Sequence, residues 1–530
     1  MTSKSNVFKA VVTVLEFSQR WSWSVHDPTD VLLVTRHCWS DMVSRWFATG
    51  IGLLLSTVLL DTSQLARPES TRRIPSHTGQ ARLQALALEF ALKYDGTNLV
   101  LLATLFAAIP VDAIVEYIQS TPTGKYARRI WFLYEMMTGD RLPLANVSSG
   151  NYVDLLEADE YFVIDAEAAT KVRRQRINNN LLGTKGYCPM VRQTETLNRF
   201  IAKDLSARSK EIVSAYPPEL LKRALSYLYT KETKSSFEIE RIAPSSSKTE
   251  RCVSLLRSAV TDNLCTKSHL ISLQNQIVDP RFRDTEYRSN QNYIGQSVNL
   301  GNERVHYVCP RPEDVRDLMF GLIALNERVD CESIHHVLHA TMISYGFVFI
   351  HPFEDGNSRI HRLLIHNILA RRCFVPPGAI FPVSAVMLKR PAEYDASLEA
   401  FSRLVMEMVE YSLDDQGKMI VTNDVGAWCR YPDMTPQTEA LFGFIEQTIE
   451  VELVNELAFL ECYDTTKTAM QEVVDLPDRD IDLFIRCCLQ NNGKLSNRKQ
   501  SARFSKLSDD EIQRLEAAVA AGYPEKPSSR

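Results

Sequence analysis

The chain has 530 residues, of which 45% are hydrophobic and 24% are charged, and its formal net charge is −5. The composition is ordinary for a globular protein, and the length predicts roughly two to four folded units. The small acidic excess argues against a nucleic-acid coat protein and against a polybasic membrane binder.

Cysteine usage and apolar stretches bear on the cellular compartment. The 11 cysteines are scattered without a C-x-x-C pair, which predicts reduced thiols in a cytosol. The apolar stretch 51–60 is too short to span a bilayer, and the stretch 99–110 ends in proline, as a buried helix can. The first twenty residues lack the apolar core of a signal sequence. We therefore expect a cytoplasmic protein that does not cross a membrane.

The first half of the chain is predicted to be an extension followed by helices. Residues 1–80 have weak periodicity, end in a linker and receive no role. Apolar residues then recur at helical spacing, so residues 81–200 are predicted to form an N-terminal helical domain. Residues 201–247 are predicted to be a helical segment that Pro244 closes.

A mainly helical domain is predicted over residues 248–415. Aromatic and β-branched residues flank the turn Leu300-Gly301-Asn302, which is typical of a β-hairpin. Helices are predicted near 313–327, 332–345, 359–371 and 392–411. His335 and His339 lie four apart on one of them, and without a third ligand they are interpreted as packing or capping residues.

The C-terminal part, residues 416–530, has two open interpretations. Helices are predicted near 436–459 and 478–489, and a basic stretch follows that contains Arg498, Lys499, Arg503 and Lys506. The stretch fits a small helical domain with one solvated basic face, and it also fits a winged-helix-like module that binds DNA. The tail from Pro524 is predicted to be disordered.

The most informative stretch reads HPFEDGNSRIHR and covers residues 351–362. Apolar runs on both sides predict two buried helices joined by this loop. His351 is a candidate base for a proton from an attacking hydroxyl. Asp355 is a hard oxygen ligand of the kind that Mg²⁺ shares with substrate phosphates.

The second half of this stretch is suited to bind an anion. Gly356 permits close approach of an anion to the start of a helix, where amide groups are unpaired. Arg359 and Arg362 project from one helical face and can bind phosphate oxygens. The residues by themselves thus predict a nucleotide phosphate, a metal ion and a base.

This stretch resembles the signature of the Fic family, H-x-F-x-[D/E]-G-N-[G/K]-R-x-x-R. Seven positions match, namely His351, Phe353, Asp355, Gly356, Asn357, Arg359 and Arg362. Ser358 departs from the pattern, since the family usually has glycine or lysine there. The resemblance implies a protein adenylyltransferase that moves AMP from ATP to a Ser, Thr or Tyr hydroxyl of a target protein, with Mg²⁺ as cofactor.

The resemblance also implies a role for each site residue. His351 would be the general base and Asp355 the Mg²⁺ ligand. Asn357 and the amides of the Gly356 turn, which includes Ser358, would bind the α-phosphate. The β- and γ-phosphates would be bound by Arg359 and Arg362. Tyr394 falls where the family often places an adenine-lining tyrosine, and a core tyrosine fits that position equally well.

An upstream segment resembles the inhibitory motif of the same family, [S/T]-x-x-x-E-[G/N]. Ser236 and Glu240 match it, while Arg241 replaces the usual glycine or asparagine. The resemblance implies that Glu240 pairs with Arg362 and occupies the γ-phosphate site. The alternative is an ordinary helix-capping role for these residues.

The predicted hairpin corresponds to the flap of the family, which aligns a target segment as an added strand. The residues assigned to this role are Ile294, Gly295, Val305 and Tyr307. A purely structural hairpin is the alternative.

The expected fold class is mainly α and multi-domain, with a helical Fic core, a hairpin flap, an N-terminal helical domain and a small C-terminal domain. Three functions remain open after the adenylyltransferase hypothesis. The same site could remove AMP, it could transfer phosphate or another nucleotide, or it could be silent in a regulator that binds DNA or protein. A homodimer is also left open.

Overall fold

The computed structural model describes residues 88–89, 91–94, 96–258, 262–299, 302–330, 334–414 and 417–523. The extension 1–80, the turn residues Leu300 and Gly301, and the tail from Pro524 lie outside the described residues. The chain divides into two compact units. The first contains the described residues up to Lys203 with Ser245–Phe374 and Arg390–Gly443, and the second contains Asp204–Pro244, Val375–Lys389 and the described residues from Phe444.

Helices dominate the described chain, which confirms the mainly α fold class. In chain order the helices are Leu99–Ala108, Val111–Ser120, Lys125–Thr138, Glu195–Ala202, Leu205–Ser214, Pro218–Ile239, Ser246–Ser258, Lys267–Ile277, Pro312–Asp330, His336–Ile350, Asn357–Arg371, Val383–Lys389, Pro391–Met408, Gly426–Arg430, Thr435–Gln447, Val454–Val473, Asp478–Leu489, Asn497–Arg503 and Asp509–Gly522. A 3₁₀ turn covers Pro280–Phe282, and a π-helical turn covers Thr448–Leu453.

The N-terminal part of the first unit is not purely helical, which corrects the prediction. Strand Ile177–Asn179 pairs in parallel with Val153–Asp154 and antiparallel with Thr170–Val172. These strands have only two or three residues, and most of those residues are polar, so no alternating apolar pattern marks them in the sequence.

A tyrosine from this part packs into the core of the same unit. The Tyr187 hydroxyl donates to the Met342 carbonyl at 3.0 Å, and the ring is buried. A Cβ atom on Gly346 would approach the Tyr187 hydroxyl to 2.1 Å, and one on Gly321 would approach the Tyr187 backbone nitrogen to 2.5 Å. The two glycines therefore leave the space that Tyr187 occupies beside the helix His336–Ile350.

Two antiparallel hairpins complete the first unit. Strand Tyr293–Asn299 pairs with Asn302–Val308, which confirms the predicted hairpin. Strand Tyr411–Leu413 pairs with Met419–Val421. The helix expected to reach residue 411 instead ends at Met408, because the chain turns extended at Val409.

The second unit contains two buried carboxylates that bind partners from other segments of the same unit. Glu232 on the helix Pro218–Ile239 accepts hydrogen bonds from the backbone nitrogen of Ser384 at 2.8 Å and from its hydroxyl. Glu452 is buried and accepts from Lys231 at 2.7 Å and from Lys389. Each carboxylate is thus compensated, as burial of charge requires.

Every regular element in the C-terminal part of the second unit, residues 444–523, is a helix. Its core contains Phe484 from one helix, Phe504 from the loop after the next helix and Leu515 from the last helix. This arrangement fits the small helical interpretation of the C-terminal domain.

The apolar helices of the described chain are short compared with the thickness of a bilayer. No single described helix is long and apolar enough to cross a membrane. The helices Leu99–Ala108 and Val111–Ser120 are long and apolar enough only when taken together, and the chain bends by 111° between them.

Candidate active site

The helix His336–Ile350, called here the pre-loop helix, delivers His351 to the site. Nearly all of its side chains are apolar and buried. His351 ends the helix in a left-handed conformation, φ 52°, while its backbone nitrogen still donates to the Phe347 carbonyl at 3.0 Å. The left-handed residue turns the chain out of the core, so the imidazole lies at the loop.

The hydrogen bond of the His351 ring fixes its tautomer. Nδ1 lies 3.1 Å from the Val348 carbonyl oxygen. A carbonyl can only accept, so Nδ1 carries the proton and Nε2 has the free lone pair. Burial lowers the pKa of His351 to about 4, and the nearby Arg288 cation acts in the same direction. The ring is therefore neutral at pH 7, in the state that a proton acceptor needs.

The loop 351–356 is closed by Asn357. Its side-chain Nδ2 donates to the Phe353 carbonyl at 2.7 Å, and its Oδ1 accepts from the Phe353 backbone nitrogen at 3.1 Å. Phe353 is fully buried and its ring packs against Tyr287 and Phe347. The Asn357 amide thus shapes the loop, a contribution that sequence reasoning missed when it assigned the amide only to the α-phosphate.

Gly356 begins the helix Asn357–Arg371, called here the post-loop helix. Its φ of 92° lies in the left-handed region, and an added Cβ would approach Val278 Cγ1 to 3.1 Å. Glycine is therefore needed at this position. Because glycine has no side chain to cap the first turn, the amide groups there are suited to bind an anion.

Asp355 and Arg359 form an ion pair at the mouth of the loop. Arg359 Nη2 lies 2.9 Å from Asp355 Oδ1, and Arg359 Nη1 donates to the Ile277 carbonyl at 3.2 Å. Asp355 Oδ1 also accepts from the backbone nitrogen of Gly356 at 2.6 Å. The Asp355 side chain is 52% exposed, so it remains accessible to a ligand.

The donor set around Asp355 fits a hard divalent cation that also contacts substrate. Asp284 lies close enough to Asp355 for the two charges to repel, and burial together with this repulsion raises the pKa of Asp284. No group of three or more His, Cys, Asp or Glu side chains suited to a metal occurs in the described part of the chain. A cation at Asp355 would thus take its other ligands from phosphate oxygens and water, as Mg²⁺ commonly does.

The remaining signature residues lie on the first turns of the post-loop helix. Arg362 is 2% exposed, whereas Ser358 is half-buried. Arg359 lies one turn before Arg362, so both guanidinium groups originate on the same side of the helix.

Sequence reasoning also missed Arg288, a buried residue that contacts the backbone around His351. Arg288 Nε donates to the His351 carbonyl at 2.7 Å, and its backbone nitrogen donates to the Pro352 carbonyl at 2.8 Å. The side chain is 5% exposed. An isolated arginine between two polar stretches gives no periodic or motif signal, so the sequence could not have indicated this contact.

The predicted flap residues differ in exposure. Ile294 is 40% exposed on the edge of the hairpin. Tyr307 pairs with it across the strands but is buried, and its hydroxyl donates to the Phe349 carbonyl at 2.7 Å. Tyr307 therefore anchors the hairpin to the pre-loop helix, and its grouping with residues that would contact a target stays a prediction.

Gly295 and Val305 pair with each other next to a bulge in the same hairpin. A Cβ on Gly295 would approach the Arg304 carbonyl oxygen to 2.9 Å. This close backbone approach explains the glycine.

Tyr394 lies in the core of the first unit. It is 5% exposed, and its ring is 6.4 Å from the ring of His361 and nearly parallel to it. Of the two interpretations left open by the sequence, this environment fits the core tyrosine.

Ser236 and Glu240 belong to the second unit. Both are half-buried at the end of the helix Pro218–Ile239, where Glu240 is the C-cap residue. Arg241 follows in a left-handed conformation, φ 58°. Glycine and asparagine adopt that conformation at low cost, which gives a physical reason for their use at this position of the motif. Arg241 adopts the same backbone at a cost of about 1 kcal/mol.

Comparison with known proteins finds a family match that covers part of the chain. The sequence model described as "Fic/DOC family" matches residues 264–369. Curated proteins named "Protein adenylyltransferase Fic" from Drosophila virilis and Drosophila mojavensis are each 32% identical to this chain over 142 residues. Residues 264–369 of this chain therefore form a Fic domain. The aligned part is 26% of this chain and 26% and 25% of the two relatives, so the chain spans about a quarter of their length.

Two solved structures are also similar to this chain. A Fic family protein from Desulfovibrio desulfuricans G20 has 18% identity and a TM-score of 0.32, with 63% of this chain and 95% of that chain covered. A Fic domain containing signaling protein from Bacteroides thetaiotaomicron VPI-5482 has 20% identity and a TM-score of 0.33, with 49% of this chain and 94% of that chain covered.

The extent of the family match separates the site residues into two groups. The signature loop, the hairpin and Arg288 all lie within the Fic domain, residues 264–369. Tyr394, Ser236 and Glu240 lie outside it, and the functional roles of the residues in both groups stay predictions.

Proposed function

We propose that this protein is a protein adenylyltransferase that moves AMP from ATP to a hydroxyl group of a Ser, Thr or Tyr residue in a target protein. The observation that carries the proposal is the neutral His351 with a free Nε2, four residues before the half-exposed Asp355 and the amide-rich start of the post-loop helix. The names of the curated relatives support the same reaction.

In the proposed reaction His351 is the general base. Nε2 takes the proton of the target hydroxyl as its oxygen attacks the α-phosphorus of ATP. The new bond joins this oxygen to phosphorus, the bond between the α-phosphorus and the bridging oxygen breaks, and pyrophosphate leaves. When bound at Asp355, Mg²⁺ would neutralise charge on the phosphate oxygens.

The remaining residues of the signature are proposed to hold the triphosphate. The amides at Gly356, Asn357 and Ser358 lie at a helix start and would contact the α-phosphate. Arg359 and Arg362 would bind the β- and γ-phosphates, for which Arg359 would exchange its Asp355 partner. The exposed hairpin edge at Ile294 is proposed to align the target segment.

Self-inhibition through Glu240 is a further part of the proposal. The Ser236–Glu240 motif supports it, and so does the left-handed Arg241, which has the backbone that a motif glycine or asparagine would adopt. Glu240 would compete with the γ-phosphate for Arg362. The nearly silent wild-type enzyme would then become active when the carboxylate is removed.

Transfer from labelled ATP tests this function. The protein and the Glu240→Gly variant are incubated with ATP labelled at the α- or the γ-phosphate, in the presence of a cell extract as a source of targets. Protein label from α-ATP alone supports adenylylation, and label from γ-ATP alone indicates phosphoryl transfer. Release of AMP from previously labelled protein indicates the reverse reaction. If neither label is transferred or released, the site is silent and the proposal fails.

A further inference from the structure

Arg288 donates to backbone carbonyls from two different parts of the Fic domain. Nε reaches the His351 carbonyl at 2.7 Å, and Nη2 reaches the Ile350 carbonyl at 3.4 Å. Nη1 donates to the Asn290 carbonyl at 2.8 Å, and Nη2 also donates to the Pro310 carbonyl at 2.6 Å. The first pair of acceptors lies at the end of the pre-loop helix, and the second pair flanks the two strands of the hairpin.

The buried guanidinium is well matched to this position. Burial lowers the pKa of Arg288 and carries a desolvation cost. The end of a helix carries partial negative charge on its last carbonyls, so a cation there recovers part of that cost. The planar fork of arginine can also donate in several directions at once, which a lysine ammonium cannot do with the same reach.

A second link joins the same two parts. The buried Tyr307 hydroxyl, on the second hairpin strand, donates to the Phe349 carbonyl of the pre-loop helix. The helix end that holds His351 is therefore tied to the hairpin at successive carbonyls, from Phe349 to Pro352.

We propose that Arg288 is a positioning residue that fixes the His351 base at a set distance from the hairpin edge where the target hydroxyl is presented. This inference rests on the proposed function for its catalytic consequence, but the connection between helix end and hairpin can be measured without activity. Arg288 contacts neither the first-turn amides of the post-loop helix nor the proposed target. It acts through the His351 backbone.

Three variants test this role. Arg288→Met keeps the bulk of the side chain and removes the charge and every donor. Arg288→Lys keeps the charge but not the fork. Arg128→Met is the matched control, because Arg128 is also buried and also donates to carbonyls, those of Asn151 at 2.7 Å and Arg176 at 3.4 Å. Each change is introduced into the full chain that also carries Glu240→Gly.

We expect both Arg288 variants to lower kcat by about 10- to 100-fold, because a displacement near 1 Å at the base costs about that much. KM for ATP should change by less than about twofold, since the phosphate-binding residues are not moved. Arg128→Met should lower the melting temperature to a similar degree and leave kcat unchanged. A kcat of Arg288→Lys equal to that of the control would overturn the proposal.

Hydrogen exchange measured by mass spectrometry gives a second readout. Amide exchange should become faster in both 351–356 and 293–299 for each Arg288 variant, and in neither segment for Arg128→Met. Should Arg288→Met fail to fold, Arg288→Lys carries both readouts. Faster exchange in both segments without any transfer by the parent enzyme would support the positioning role and refute the proposed function. Normal transfer with unchanged exchange would refute the positioning role alone.

Discussion

Replacement of Asn357 separates a loop-shaping role from a purely phosphate-binding one. The Asn357 side chain is 2% exposed and satisfies both backbone groups of Phe353, which is itself fully buried. In Asn357→Ala both groups lose their partners. Each buried backbone group without a partner costs about 1–3 kcal/mol, so we expect the loss of both partners to lower the free energy of unfolding by about 2–6 kcal/mol. Asn357→Asp keeps one acceptor but turns an oxygen toward the Phe353 carbonyl, and should be destabilised as well.

Differential scanning calorimetry measures this loss. About 2–4 °C of melting temperature corresponds to each kcal/mol in a unit of this size. Ser358→Ala is the control, because Ser358 is the next residue and is only half-buried; it should melt close to the parent. If Asn357→Ala lost transfer activity while its melting temperature stayed within about 1 °C of the parent, the loop-shaping argument would be refuted and the amide would belong to the phosphate alone.

Three further variants address the reaction. In the Glu240→Gly enzyme, His351→Ala should lower transfer at least ~10²-fold, with ATP binding retained in calorimetry. Because activity needs the neutral ring, the Glu240→Gly enzyme should keep its activity as the pH falls from 7 and lose it only near pH 4, where the pKa of His351 lies. An acid limb near pH 6.5, the pKa of a free histidine, would contradict this. Asp355→Ala should weaken ATP binding in Mg²⁺ but not in EDTA, and equal losses in both would show the carboxylate to be structural. Glu240→Gly should raise self-labelling strongly, whereas self-labelling by the double variant Glu240→Gly with Arg362→Ala should stay low. A Glu240→Gly enzyme that is no more active than the parent would refute the self-inhibition hypothesis.

The elements of the fold that the sequence predicts well are those with long apolar periodicity. The helix predicted at 478–489 is found as Asp478–Leu489, and the one at 359–371 is found as Asn357–Arg371. The hairpin at 293–308 follows from its aromatic and β-branched residues. The three short strands between Val153 and Asn179 escape prediction because two or three residues cannot show a period.

Contacts to backbone carbonyls are the part of the site that sequence reasoning could not supply. Arg288, Tyr307 and Asn357 all bind main-chain groups. Every residue type offers the same main-chain groups, apart from proline, which lacks the N–H. The sequence therefore does not indicate which residue provides the main-chain group that such a side chain binds. The signature residues His351 and Asp355 were predictable because their chemistry resides in the side chain itself.

The buried and the exposed residues of the candidate site have different roles. Groups that set geometry are buried and satisfied by the protein: Asn357 holds Phe353, and Arg288 holds the His351 carbonyl. The charged pair Asp355–Arg359 lies at the mouth, with the carboxylate half-exposed. The Arg359 side chain of this pair is only 10% exposed, so solvent reaches the pair from the Asp355 side. In the proposed reaction the cation would take the place of Arg359 beside Asp355, and the triphosphate would take the place of Asp355 beside Arg359. Because Asn357 and Arg288 already fix the loop geometry, ATP would leave their contacts in place. In the proposed reaction its binding free energy would separate the Asp355–Arg359 pair, displace Glu240 from Arg362 and orient the α-phosphate toward Nε2 of His351.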